Sequence, residues 1–145
     1  MRAGACATFG AGLKVFEMAL EIPTKDITQD AAMTEAECAA TMAFGMEAIA
    51  GADLIAPGEM GIGNTTPSTA IVAAFSGKPV AELTGRGTGV DDATLGRKIR
   101  LIEQALEVNR PNPENALDVL CKVGGYEIAG LAGALLGAAS VRAPL

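Results

Sequence analysis

The sequence predicts an α/β fold, with a Rossmann-like, mostly parallel sheet flanked by helices. Two short apolar segments, residues 53–56 and 79–83, are predicted strands, and each leads into a glycine-rich loop. A helical pattern follows each loop, and this order of strand, loop and helix is typical of parallel sheets. Because only two strands are indicated, we expect the sheet to be an incomplete part of a larger α/β enzyme.

Two helices are predicted before the first loop. Residues 13–20 carry apolar side chains at helical spacing, and Pro23 predicts the end of that helix. Thr34 and Glu37 have the spacing of a capping box, in which each side chain bonds a backbone N–H at the start of a helix. An alanine-rich run follows them and predicts a second helix that ends near Gly51.

Two further helices are predicted directly after the loops. Thr66 as cap and Pro67 at the first helical position begin a helix that reaches Gly77. After the second loop, residues 95–106 carry Leu and Ile at helical spacing.

The last two predicted helices follow a polar turn. One begins at Pro113 with Leu117 and Leu120 facing inward, and residues 124–125, both glycine, end it. The other begins at Tyr126 and carries small residues that allow close approach to a neighbouring helix: Gly130, Gly133, Ala134 and Gly137.

Composition limits the chemistry. The 145 residues are half hydrophobic and suit one domain, and they include no His. Without an imidazole there is no Ser-His-Asp triad, no Cys-His nucleophile pair and no His-ligated zinc. The net charge of −6 makes nucleic acid and anionic membranes poor partners.

Cysteine spacing and hydropathy bear on the cellular compartment of the protein. Cys6, Cys38 and Cys121 are far apart and in no CxxC spacing, which suits reduced thiols and a cytoplasmic protein. The N-terminus lacks the continuous apolar stretch of a signal peptide. The most apolar tract, residues 128–141, is shorter than the roughly 20 residues that a spanning helix needs, so no transmembrane segment is predicted.

The two glycine loops, residues 58–66 and 85–92, suit a phosphate group. Glycine lets backbone N–H groups face a ligand, and a helix N-terminus adds unpaired donors and a partial positive charge. Neither loop fits GxxxxGK[ST] or GxGxxG, which disfavours ATP and NAD. A tight turn with a helix cap is the structural alternative for either loop taken alone.

Side chains in and near the loops supply candidate functional groups. Lys98 lies two helical turns after Asp91 on the same face, and Arg86 lies within the second loop, although an isolated helical Lys is more often a solvated surface residue. Glu59 follows the first predicted strand, where it is either a general base or a carboxylate that holds the loop. Asp91 and Asp92 suit a helix cap, a divalent metal or ribose hydroxyls.

Three segments together resemble one enzyme family. GEMGIGNTT (residues 58–66), GRGTGVDD with GRK (85–92 and 96–98) and GGYEIAGLAGALLGAA (124–139) are similar, in this order and spacing, to nicotinate-nucleotide–dimethylbenzimidazole phosphoribosyltransferases of the cobalamin pathway. The resemblance extends from about residue 24 to residue 145. It implies transfer of phosphoribose from nicotinate mononucleotide to 5,6-dimethylbenzimidazole, giving α-ribazole 5′-phosphate and nicotinate.

The resemblance also implies a cytoplasmic homodimer with a Rossmann-like core and no cofactor or metal. Residues 1–145 would be the central phosphoribose-binding portion, with the family's N- and C-terminal parts outside it. Glu59 would be a secondary catalytic glutamate, because the main one of the family would follow Leu145. The residues that the resemblance assigns to the substrate are Gly61, Gly63, Asn64, Thr65, Arg86, Gly87, Thr88, Gly89, Asp91 and Lys98.

Other functions stay open at this point. A partner chain that supplies the C-terminal part is the alternative to a homodimer. The chain is otherwise a non-catalytic module that binds phosphate or a mononucleotide. A third interpretation takes residues 90–94 as the loop of a diphosphoribose-dependent phosphoribosyltransferase that uses paired acids with Mg²⁺.

Overall fold

The computed structural model describes residues 2–87 and 89–144, and the regular elements within these residues are all helices. Seven helices lie within the described residues, and residues 10–34 and 49–64 are the two longest stretches between them. They are α1 (Arg2–Phe9), α2 (Glu35–Ala48), α3 (Thr65–Ser76), α4 (Val80–Leu83), α5 (Asp92–Asn109), α6 (Ala116–Val123) and α7 (Tyr126–Val141).

Helices α2 and α7 pack closely because small residues line their contact. A Cβ at Gly133 of α7 would overlap the backbone carbonyl of Met42 in α2, and a Cβ at Gly45 would overlap the carbonyl of Gly130. The predicted close approach of the last helix is therefore confirmed. One half of the core lies beside this pair. It consists of buried side chains from α2, α6, α7 and the segment before α2: Ala32, Met33, Cys38, Leu120, Cys121 and Ala129.

The second half of the core joins α3, α4, α5 and α6. Ile102, Val119 and Val123 are fully buried there, and Ala70, Ala73 and Val80 pack against them. This cluster joins α3 and α5, the helices that follow the two glycine-rich loops. It therefore fixes the two glycine-rich loops relative to each other.

The predicted α/β fold is wrong for the described chain, which contains no strand and no sheet. Residues 53–56 form turns and irregular backbone, and residues 80–83 form the short helix α4. A strand requires a partner along its whole length. Among the described residues the first segment has one such bond, from Ile55 N to the carbonyl of Pro144 at 3.1 Å.

The helix predictions have mixed outcomes. The capping box is confirmed, with Thr34 and Glu37 bonding each other's backbone N–H groups. Residues 13–20 are not helical. Phe16 packs edge-on against the Phe44 ring, with centroids 5.4 Å apart, but Leu20 is 74% exposed, so the predicted apolar stripe forms no shared buried face.

The starts of two predicted helices shift slightly. Helix α3 begins at Thr65 rather than after a Thr66 cap, and α6 begins at Ala116 with Asn115 as its cap rather than at Pro113. In α6, Leu120 is buried as predicted, but Leu117 is 55% exposed because it lies on the outer face of the first turn. Helices α5 and α7 follow Asp91 and Gly125 as expected. None of the described helices is long and apolar enough to cross a bilayer.

Candidate phosphate site between the two glycine loops

The first glycine loop is held by a carboxylate from its own chain. The Glu59 Oε2 atom accepts a hydrogen bond from Gly61 N at 2.6 Å. A Cβ at Gly61 would lie 3.2 Å from both that oxygen and the Glu127 Cγ atom, so glycine is needed where the two carboxylate side chains approach the backbone. Glu59 therefore has the geometry of a loop-holding carboxylate.

Asn64 connects this loop to α7 and to its own helix. Its Nδ2 atom donates to Glu127 Oε1 at 2.8 Å, and its Oδ1 atom accepts from Ser68 Oγ at 3.1 Å. Although Asn64 is the N-cap residue of α3, its side chain bonds none of the first N–H groups of that helix. Within the described residues, the N–H groups of Ile62, Gly63 and Thr65 donate to no oxygen.

Lys98 joins the two loops. Its Nζ atom donates to Thr65 Oγ1 at 2.7 Å and to the backbone carbonyl of Gly85 at 3.4 Å. No carboxylate of the described chain forms a salt bridge with this ammonium group. Its positive charge therefore remains available at the N-terminus of α3, where the helix dipole also favours an anion.

The backbone of the second loop comes close to this contact. Gly87 has a φ of +58°, and a Cβ at this position would lie 3.2 Å from Thr65 Oγ1. A side chain there would be strained and would crowd the threonine hydroxyl. Gly63 and Gly89 also have positive φ angles, at turns of the first and second loops.

Arg86 and Asp91 stabilise the second loop rather than face the first. The Arg86 guanidinium forms a salt bridge with Asp92 and donates to the carbonyl of Val90 at 2.9 Å. Asp91 caps α5 by accepting from Thr94 N at 2.8 Å, and this hydrogen bond lowers the pKa of the Asp91 carboxyl. Both acids of the second loop are thus occupied by protein groups.

An open pocket of about 280 Å³ lies between α3 and the second loop. Thr65 and Gly87 were predicted as site residues, and both line it. The structure adds lining residues that sequence reasoning missed: Ser68, Thr69, Val72, Leu83 and Gly85. The helical spacing of Thr65, Ser68 and Thr69 was a usable signal, because residues three and four apart share one face.

The predicted residues are only partly brought together. Of these, Thr65, Gly87 and Lys98 meet in one place, together with the unpredicted Gly85, whereas Thr88 lies outside the described residues. Glu127 was not among the predicted site residues, yet it contacts Asn64 across 63 residues of sequence. No local pattern reports such a contact. In the described chain no group of three acidic or cysteine side chains is placed to hold a metal ion.

Comparisons with known proteins agree on one family. A family model described as phosphoribosyltransferase matches residues 3–145. The nicotinate-nucleotide–dimethylbenzimidazole phosphoribosyltransferase of Roseiflexus castenholzii is 50% identical over 147 residues, which cover 98% of this chain and 42% of that protein. The protein of the same name from Methylocella silvestris is 52% identical over 141 residues, covering 97% and 41%.

Solved structures give the same result. The crystal structure of CobT from Thermus thermophilus superposes with a TM-score of 0.76 at 40% identity, over 84% of this chain and 38% of that one. The chain thus spans about two fifths of the length of these relatives. The family resemblance expected from the three sequence segments is confirmed.

Proposed function

We propose, because this chain belongs to the phosphoribosyltransferase family, that residues 1–145 form the central phosphoribose-binding portion of an enzyme acting on nicotinate mononucleotide and dimethylbenzimidazole. Relatives about 50% identical carry the name of that activity. The products are α-ribazole 5′-phosphate and nicotinate.

One observation carries the proposal: Lys98 links the two glycine loops without a carboxylate partner among the described residues. Its ammonium, the Thr65 hydroxyl and the N–H groups of the first loop are hydrogen-bond donors suited to one anion. A mononucleotide has one phosphate group, so a few convergent donors are enough to bind it, whereas a triphosphate needs a longer loop of backbone N–H groups.

Within this proposal, residues of both loops bind the phosphoribose, and Lys98 binds its phosphate group. The residues assigned to the substrate are Gly61, Gly63, Asn64, Thr65, Arg86, Gly87, Thr88, Gly89, Asp91 and Lys98. Arg86 and Asp91 would act through the loop, since their side chains bond protein groups.

The transfer is a displacement at the anomeric carbon. A benzimidazole nitrogen forms the new bond to that carbon while its bond to the pyridine nitrogen of nicotinate breaks. The electron pair of the broken bond stays on the pyridine nitrogen and neutralises its positive charge. A carboxylate base accepts the proton of the benzimidazole N–H. Glu59, which the bond to Gly61 N holds at the first loop, is proposed as the secondary catalytic carboxylate.

The proposal includes a cytoplasmic homodimer. Large apolar side chains on α7 are exposed in the single chain, namely Leu135, Leu136 and Val141. Contact with a second copy of the chain would remove these apolar side chains from water. Sedimentation velocity at increasing protein concentration tests this point: a species of twice the chain mass is expected, and a monomer at all concentrations contradicts the homodimer.

Replacement of Lys98 tests the phosphate site. We expect Lys98→Ala to weaken nicotinate mononucleotide binding by about tenfold or more, since charge-assisted hydrogen bonds to a phosphate contribute roughly 1.5–3 kcal/mol. Isothermal titration calorimetry measures the affinity. Lys78→Ala, which removes the same charge from an exposed position, is the matched control and should bind as the unaltered chain does. Equal affinities for the two variants would remove Lys98 from the site.

A further inference from the structure

The hydroxyl groups of the pocket differ in what they offer a ligand. Thr65 Oγ1 accepts from Lys98 Nζ, so its own proton remains for a ligand acceptor. Thr69 Oγ1 donates to the Thr65 carbonyl at 2.7 Å, and Ser68 Oγ donates to Asn64 Oδ1 at 3.1 Å. The pocket therefore offers hydrogen-bond donors at the Thr65 end. At the other end, the hydroxyl oxygens of Ser68 and Thr69 can only accept from a ligand, because their protons are already donated to protein oxygens.

The direction of the Ser68 bond depends on Glu127. An ionised carboxylate only accepts hydrogen bonds, so the Asn64 Nδ2 atom must face Glu127 Oε1 at 2.8 Å. The opposite amide orientation would place two acceptor oxygens against each other. Because the amide is fixed in this way, Asn64 Oδ1 faces Ser68 and takes its proton.

We infer that Glu127 is a positioning residue which, through Asn64, fixes the Ser68 hydroxyl as an acceptor for a sugar hydroxyl of the ligand. Glu127 and Asn64 are half-buried and do not line the pocket, whereas Ser68 does. This inference rests on the proposed function and deepens it. Phosphate oxygens bind at the Lys98 and Thr65 end, and ribose hydroxyls, which are donors, bind at the Ser68 end.

NMR titration of the full chain with ribose 5-phosphate and with inorganic phosphate distinguishes the contributions of the two ends of the pocket. For Ser68→Ala and Glu127→Ala we expect the preference for ribose 5-phosphate over inorganic phosphate to fall by about tenfold, with inorganic phosphate affinity within about twofold of the unaltered chain. Glu127→Gln retains an oxygen that accepts from Asn64 and should keep most of the preference. Ser76→Ala, at the other end of α3, is the control.

A double variant tests whether Glu127 acts through Ser68. In the Ser68→Ala background, Glu127→Ala should cause no further loss of the preference, because coupled residues are not additive. Equal losses in both backgrounds, or an unchanged preference in either single variant, overturn the inference while leaving phosphate binding intact. Failure of the unaltered chain to bind either compound contradicts the proposed function itself and this inference with it.

Discussion

The three cysteines lie in different surroundings, and this difference determines their reactivity. Cys38 and Cys121 are buried side by side in the core, whereas Cys6 is partly exposed on α1. Burial, reinforced by a hydrogen bond with the Cys121 thiol, raises the pKa of Cys38 to about 12. Since the thiolate is the reactive species, Cys38 is not a nucleophile at neutral pH.

A thiol titration with 5,5′-dithiobis(2-nitrobenzoate) at pH 8 tests this difference. We expect one thiol per folded chain to react rapidly and three to react in guanidinium chloride. The variant Cys6→Ser should lose the rapid phase and keep the other two thiols protected. Rapid reaction of a second thiol in the folded protein would contradict the buried placement of Cys38 and Cys121.

At the scale of single residues, sequence reasoning found the part of the site that local spacing reveals. Lys98 was identified from its place on the helix after the second loop, and the structure brings it to Thr65. Glu127 was missed because its bond to Asn64 depends on how the fold brings the first turn of α7 to the start of α3. That arrangement is a property of the core and has no signature in either segment.

At the scale of elements, the α2–α7 pair depends on glycine at its contact. In Gly133→Ala the new methyl group would overlap the Met42 carbonyl, so the helices must move apart. We expect a loss of about 2–3 kcal/mol in the free energy of unfolding, the upper part of the range for overpacked cores. Urea unfolding followed by circular dichroism measures it.

Gly96→Ala is the matched control for that substitution. Gly96 also lies inside a helix, but a Cβ there would meet only Arg100 Nη1 at an ordinary 3.6 Å. Alanine favours helix over glycine by roughly 0.5–1 kcal/mol, so this variant should be as stable as the original chain or more so. If Gly133→Ala proved as stable as Gly96→Ala, close packing against Met42 would not govern the Gly133 position.

Helices and strands differed in how well the sequence predicted them. The capping box at Thr34, the Asp91 cap and the start of α7 were predicted, because such signals act within a few residues. The strands at residues 53–56 and 79–83 were not confirmed. Short apolar segments fit a strand or a buried helix equally well, and Val80 is buried as part of α4.

At the scale of the whole molecule, several carboxylates make folding sensitive to acid. Hydrogen bonds from backbone N–H groups, helped by neighbouring hydroxyl or ammonium groups, lower the pKa values of Asp26, Glu37, Asp91 and Asp118. A carboxyl whose pKa is lower in the folded chain stabilises the fold above its unfolded pKa of about 4. That contribution is lost as the pH falls through the folded pKa, so stability should decline below about pH 4.

Asp118 offers the clearest test of this acid sensitivity, because its carboxylate is about one quarter exposed, with a side-chain accessibility of 27%. It accepts from Asn112 N at 2.7 Å and pairs with Lys122 at 2.9 Å, and these contacts lower the pKa of the Asp118 carboxyl. We expect Asp118→Asn to lower the free energy of unfolding by about 0.5–1 kcal/mol at pH 7, the scale of a partly exposed ion pair.

The difference between this variant and the original chain should depend on pH in one direction only. Asparagine keeps an acceptor for Asn112 N but cannot ionise, so the deficit should shrink as acid protonates Asp118 in the original chain and vanish below its folded pKa. Urea unfolding at pH 7, 5, 4 and 3 measures the difference. Glu103→Gln, which neutralises an exposed carboxylate on α5, corrects for the change in net charge. A deficit that stays constant from pH 7 to pH 3 would mean that the Asp118 charge does not stabilise the fold.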